Sequence, residues 1–478
     1  MRKRFEPQII IGQKQIKDIE VNLKSRHALS KLVLALKKIF VTPEYNEKVL
    51  DILEEKILKN KKKTGRPGMN LWTIFVLAQT RLCLNMSYDM LHDMANNHTI
   101  FRQILGIESR EGYERIELEY QNIVDNVDLL DDLTLKKIND IIVKLGHTVF
   151  KKKETVLLCL KTDSFVVESK VHYPTDYNLL WDSARKCIDV IYKILNEYPE
   201  IKGFRNLYDW KKKLKNKLRE LTLSAKKSKE EKIKITTEYI EKAKLFSEKI
   251  NNKIVEFENK TIKDAKNKVA LEYYLKMLVK HIDLLERRVL KGETIPHDEK
   301  IFSIFETYTE WITKGKQNPS FELGKNIQIT SDQFHLIIDY KIMEKEVDKT
   351  IVKSLSESIL SKYKIDSWSF DKGYFSKENK AHLLTLVPNL VMPKKGKLSI
   401  AEKEEEHKSL FKKLRNKHSA VESNINALEN KGLDICPDKG YEHFKRYIGM
   451  GVCAYNLHLI GAEILRQEKL KLLVKKVA

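Results

Sequence analysis

The sequence predicts an α/β protein: a mixed sheet flanked by helices, preceded by a helical segment and interrupted after its first strand by a long helical insertion. Three observations lead there. Short runs rich in β-branched residues, TVLLCLKTDSFVVES, FELGKNIQITSDQFHLIIDYKI and IDSWSFDKGYF, alternate with stretches of helical period. Residues 204–291 contain neither Gly nor Pro. Residues 1 to about 145 carry apolar side chains at three- and four-residue spacing.

In chain order, HALSKLVLALKKIF reads as a helix stopped near Pro43, and the basic linker NKKKTGRPG separates it from MNLWTIFVLAQTRLCLNMSYDMLHDM. Within that stretch NMS closes one helix, and Ser87 is a suitable N-cap for another beginning at Tyr88. Helices joined by a short turn beside a basic linker suit either a DNA reader of helix-turn-helix type or a structural bundle. The first strand is expected to end at Asp163 and deliver that acid to a site, because a buried carboxylate is costly without a partner. Leu207, Trp210, Leu214, Leu218 and Leu221 then mark two or three long helices packed as hairpins.

After Pro296, two strands joined by a tight Ser-Asp turn are expected, with His335, Ile337 and Asp339 alternating in the second. VDKTIVKSLSESILSKY follows as a helix, and IDSWSF as a strand ending at Asp371 just before Gly373. A helix through KENKAHLLTL, a short strand at Leu390–Met392 and the basic loop PKKGK, with Lys394 and Lys395, come next. From Leu414 to Leu433 one amphipathic helix is expected, placing Arg415, His418 and Glu422 on one side. The last helix, from about Tyr441 to Lys469, contains Gly449, Gly451 and Gly461, which points to close packing.

At 478 residues the chain exceeds one compact core. The expected division is a helical, DNA-binding segment over residues 1–150, a sheet domain in two parts (151–176 and 301–440), a basic helical insertion over 177–300 and a C-terminal helix over 441–478. The formal net charge is +22, and residues 204–291 hold 25 Lys or Arg against 13 Asp or Glu. Such an excess favours a polyanionic partner, nucleic acid above all. A lysine-rich solvated surface is the plainer reading for most of these side chains singly. The five cysteines show no CxxC or Cys/His ligand spacing, which argues against disulfide scaffolding and structural zinc. No apolar h-region follows the basic start, and no run approaches the ~20 apolar residues of a membrane span. A soluble, intracellular protein is expected.

Three acids far apart in sequence, two at strand ends and one on a later helix, can meet above a mixed sheet. Crowded hard oxygen donors suit Mg²⁺ or Mn²⁺, in a pair of ions that work on phosphate esters. Glu168, Asp176, Asp332, Asp339 and Asp366 are competing acids. Asp339 can face the site or turn outward, and Asp366 is expected to be exposed. His172 either approaches a DNA phosphate or fixes its own loop.

KTDSFVVESKVHYPTDYNLLWDS, FETYTEWITKGKQNPSFELGKNIQITSD, SFDKGYFSKEN, HSAVESNINALENKGLD and YIGMGVCAYNLHLIG together resemble the DDE transposases of bacterial insertion sequences, in particular the ISNCY group. GRPGMNLWTIFVLAQTRLCLNMSYDMLHDMANNHTIFRQILGI resembles their helical N-terminal domain, so the likeness covers about residues 65–110 and 155–465. The resemblance implies an RNase H-like fold and a two-ion Mg²⁺ or Mn²⁺ site held by the catalytic and metal-binding acids Asp163, Asp371 and Glu422. It also implies cleavage and strand transfer of terminal inverted repeats into target DNA by a homodimer on double-stranded DNA in the bacterial cytoplasm, at the nucleoid. Where many relatives place Tyr, Arg and Lys around the last Glu, this chain has Arg415, His418 and Glu429. Arg415, His418, His172, Lys394 and Lys395 are the candidate DNA contacts. A catalytically silent DNA-binding derivative, or an RNase H-like nuclease that cuts without joining, are the alternatives.

Overall fold

A computed structural model describes residues 2–5, 14–59, 68–108, 115–204, 206–224, 228–257, 261–313 and 320–477, so residues 60–67 of the basic linker lie outside it. The chain forms two compact units, Met1–Lys170 with Ile312–Ala478, and Val171–Trp311. The first unit therefore takes in the N-terminal helices, nearly all of the sheet and the last helix.

Its helices before the sheet are α1 (Ala28–Val41), α2 (Pro43–Leu58), α3 (Leu71–Cys83), α4 (Tyr88–Asn97), α5 (Thr99–Leu105), α6 (Tyr120–Val127) and α7 (Asp132–Val149). Ser87 caps α4 as its sequence suggests, its side chain accepting from the amide of Met90. β1 (Leu158–Ser169) follows. It does not stop at Asp163 but runs six residues further, because Phe165, Val166 and Val167 continue to bury apolar surface.

The second unit is a helical bundle of α8 (Asp176–Glu197), α9 (Leu207–Leu223), α10 (Lys229–Lys253) and α11 (Ile262–Leu285). Its core is formed by Ile188, Leu214, Tyr239, Phe246, Leu271 and Leu278 among others. Reciprocal caps, Ser228 with Glu231 and Thr261 with Asp264, start α10 and α11 and satisfy amides that the helix leaves unpaired.

The sheet is completed by β2 (Glu310–Thr313), β3 (Phe321–Ser331), β4 (Ile337–Ile342), β5 (Ile365–Phe370), β6 (Asn389–Val391) and β7 (Ile435–Cys436). β1 lies between β3, antiparallel to it, and β5, parallel to it; β4 pairs antiparallel with β3, β6 parallel with β5, and β7 with the end of β1. The β3–β4 connection is longer than a tight Ser-Asp turn. Asp332, fully buried, accepts from the amides of Phe334 and Leu336, and His335 sits outside the strand at a φ of 67°. The helices of this part are α12 (Asp348–Leu360), α13 (Lys377–Leu384), α14 (Ile400–His407), α15 (Ser409–His418), α16 (Ala420–Leu428) and α17 (Tyr441–Val477).

The two faces of the sheet differ because side chains alternate. Leu158, Leu160, Trp368 and Phe370 pack with Ile351, Leu355 and Ile359 of α12 and Leu383 of α13. On the opposite face, Lys161 and Ser369 are register partners and lie toward α15 and α16.

The helix expected from Leu414 to Leu433 is in fact broken. α15 ends at His418, α16 begins at Ala420, and a π turn over Glu429–Leu433 follows. Arg415 and His418 therefore stand on α15 and Glu422 on α16. Ser419 marks the break, its hydroxyl bonding back to the carbonyl of Asn416.

Within α17, a Cβ added at Gly461 would lie 1.7 Å from the Lys31 carbonyl of α1, and one at Gly449 would lie 2.7 Å from the Tyr340 hydroxyl. Glycine is what lets α17 approach its neighbours so closely. Contrary to the sequence-based expectation, the segment Tyr441–Val474 is long and apolar enough to cross a membrane, and 72% of its apolar window is buried inside the protein. Arg81 of α3 ties this end of the chain down through paired hydrogen bonds of 2.8 and 2.6 Å to Asp438. Gly461→Ala should lower the urea unfolding midpoint, with a cost of about 1–3 kcal/mol; an unchanged midpoint would show that the α1–α17 contact is not this tight.

Candidate active site

The last register pair between β1 and β5 is Thr162 with Phe370, so the residue that follows each is an acid, Asp163 still on β1 and Asp371 just past the end of β5. Both belong to the face that carries Lys161 and Ser369. Asp163 is half-buried and takes the amide of Ser164 at 2.8 Å. Asp371 is exposed at the start of a short 3-10 turn, Lys372–Tyr374. Glu422 stands exposed in the first turn of α16, and α16 packs on β1.

A fourth carboxylate joins them. Asp348, the first residue of α12, accepts a 2.8 Å hydrogen bond from the Ser164 hydroxyl, which also receives the Asn326 amide at 3.3 Å. A Cβ at Gly373 would sit 2.6 Å from Asp348 Oδ2, so glycine there lets the turn after Asp371 close onto Asp348. In sequence Asp348 reads only as a favourable charge at a helix start, and nothing in its spacing marks it as part of a site.

The acids act on one another electrostatically. Burial pushes the Asp163 carboxyl up to about 7, and the negative charges of Asp371, Asp348 and Glu422 push in the same direction, against the Ser164 amide. Asp348 is raised by burial and by Asp371, and lowered by its hydrogen bonds and by Lys395. None of the four carboxylates forms an ion pair among the described residues. The donor chemistry, hard oxygens with uncancelled negative charge, fits Mg²⁺ or Mn²⁺. Yet among the described residues no group of three or more His, Cys, Asp or Glu side chains is drawn together tightly enough to hold an ion. The carboxylates are thus within electrostatic reach of one another without converging as a finished ligand shell.

The remaining candidates divide. Nδ1 of His418 lies 2.9 Å from Ser369 Oγ, and burial lowers its proton affinity against the pull of Asp371. Its Nε2 has no hydrogen-bond partner among the described residues. Lys395 is exposed and near enough to Asp348 to be felt by it. Arg415 instead bonds Glu406, and Lys394 bonds Glu402 at 2.9 and 3.0 Å. His172 belongs to the second unit, 3.2 Å from Asp182. Among the competing acids, Asp332 bonds His147 at 2.7 Å and Asp176 pairs with Arg288 at 2.7 Å. Asp366 is half-buried beside Asn389 rather than exposed. Asp339 is raised to about 6 by burial, and the charges it feels are Lys136, Lys362, Asp140 and Asp132, so it faces α7 and not Asp163.

No protein-family model, curated protein or solved structure matches the chain.

A pH effect follows from Asp163. Its folded value of about 7 stands above the ordinary 3.8, so between these the folded protein keeps a proton that the unfolded chain has released. Stability is greatest below the ordinary value and falls as pH rises to about 7. Because Asp339 titrates in the same window, the check is a comparison: in chelator, wild type should lose more stability from pH 4 to pH 7 than Asp163→Asn. Parallel curves would mean that Asp163 is not held up by its surroundings.

Proposed function

We propose that the chain is a DDE-type DNA transposase of the kind its sequence resembles, carrying out metal-dependent cleavage and strand transfer at the ends of an insertion sequence. The observation that carries this reading is the gathering of Asp163, Asp371 and Glu422, separated by more than two hundred and by fifty-one positions in the chain, into one field of negative charge. The sheet supports an RNase H-like reading of the fold, since an antiparallel half (β4, β3, β1) continues into a parallel half (β5, β6) with one acid on the shared strand and the next just past its parallel neighbour. The net charge of +22 supports a DNA substrate.

In this reading Asp163, Asp371 and Glu422 are the residues that would hold the cations, with Asp348 as a fourth carboxylate. When bound, Mg²⁺ or Mn²⁺ supplies the charge that activates a water or a DNA 3′-hydroxyl and stabilises the departing oxygen. The protein's own part is placement. The β1–β5 pairing fixes Asp163 and the strand end just before Asp371, Ser164 and Asn326 orient Asp348, and half-buried His418, its Nδ1 against Ser369 Oγ, would accept a proton at Nε2 when neutral and donate to phosphate when protonated. A dimer on DNA, with the free protein in the cytoplasm, belongs to the same proposal.

The absence of a closed trio of ligands favours one other reading, a catalytically silent DNA-binding protein that keeps the fold. A single assay separates them: nicking of DNA carrying the inverted repeats that flank the coding sequence, and joining of those ends, with and without Mg²⁺ or Mn²⁺. Wild type should nick and join, and alanine at residue 163, 371 or 422 should reduce both to background with DNA retention unchanged. Full activity of Asp371→Ala would exclude the assignment; nicking without joining would make the protein a nuclease.

A further inference from the structure

A cavity of about 470 Å³ opens on the sheet face that bears Asp163 and Asp371. Its floor is Lys161, Ser367 and Ser369 on β1 and β5, its roof is Lys417 and Ser423 at the break between α15 and α16, and His335 closes one side. Lys161 is only 7% exposed. Its ammonium donates to the backbone carbonyl of Asp332 at 3.2 Å, while the Asp332 carboxylate is taken up by His147 and by the amides of Phe334 and Leu336. Neither Lys161 nor Lys417 pairs with a carboxylate among the described residues. The Lys161 ammonium feels the Asp332 charge, but that carboxylate is already engaged by other donors, so burial is only partly offset, and Lys417 adds repulsion. An entering anion relieves both.

We propose that this cavity binds a phosphate-bearing nucleotide, with Lys161 and Lys417 on the phosphate and the hydroxyls of Ser367 and Ser423 as further hydrogen-bond donors. Lysine and hydroxyl donors suit phosphate oxygens, and the volume falls within the usual range for small-molecule sites, about 300–1,000 Å³. Lys161 and Ser369 lie two residues before the two acids on their strands, about 7 Å away along the sheet. One nucleotide of an extended strand spans that interval, so a DNA strand reacting at the acids leaves its neighbouring nucleotide at the cavity. Naming DNA as the source rests on the transposase reading; the phosphate chemistry does not.

The test is calorimetric titration of the full chain in chelator with inorganic phosphate, a nucleoside 5′-monophosphate and the same nucleoside. The monophosphate should bind saturably and the nucleoside should not. Lys161→Met should weaken monophosphate binding by about tenfold or more, and exposed Lys417→Ala should weaken it by several-fold. No saturable binding, or equal affinity in wild type and in Lys417→Ala, overturns the site, and Lys417→Ala decides the matter if Lys161→Met fails to fold. Displacement of labelled monophosphate by a single-stranded oligonucleotide supports DNA as the source, and lack of displacement overturns that assignment in favour of a free nucleotide. The titration omits metal, so saturable binding in a protein that never nicks DNA would sink the transposase reading alone, and nicking without such binding would sink the cavity alone.

Discussion

Two acids, one on β1 and the other just past the end of its parallel neighbour β5, are the constraint from which the rest of this structure follows. The β1–β5 register, whose last pair is Thr162 with Phe370, carries Asp163 and the residue just past β5, Asp371, into reach of each other's charge, and partial burial of Asp163 removes water that would otherwise screen it. Asp348 and Glu422 add to the same field. No cationic side chain forms an ion pair with any of the four among the described residues. A protein that crowds negative charge in this way gives up stability, and a bound cation would restore it.

The fold makes that crowding possible by using the two faces of the sheet differently. Trp368, Phe370 and Leu160 pack with α12 and α13 and supply apolar burial on one side, which fixes β1 and β5 against each other. The other side keeps Lys161, Asp163, Ser369 and Asp371 beneath α15 and α16, where the chain has polar groups to spare. Ser164 points back to the apolar side and catches Asp348, and the missing Cβ of Gly373 leaves room for that carboxylate. At the far side of the unit, the glycines of α17 and the Arg81–Asp438 pair hold the N-terminal helices and the last helix together.

Much of this was legible in the amino-acid sequence. Period and turn residues gave the alternation of strands and helices after Pro296, the bundle of residues 204–291 and the close packing of the last helix, because apolar spacing and glycine report directly on what is buried. What escaped was of another kind. Asp163 looked like the end of a strand because it interrupts an apolar run, yet Phe165, Val166 and Val167 carry the strand onward. The break at Ser419 leaves no mark in the sequence: its backbone stays in the right-handed helical region, at φ −54° and ψ −18°, so neither glycine nor proline is required. Asp348 could not be distinguished from a helix-start charge, and Lys161 from a surface lysine, because each matters through residues distant along the chain.

Titration of the metal-free protein with Mn²⁺, followed by the loss of the free-ion electron paramagnetic resonance signal, tests the central claim most directly. Wild type should take up Mn²⁺ saturably, Asp163→Asn and Asp371→Asn should each lose most of that uptake, and Mg²⁺ should compete for it. Uptake that is absent, or equal in wild type and in both variants, would contradict the claim that these acids are gathered to hold a cation.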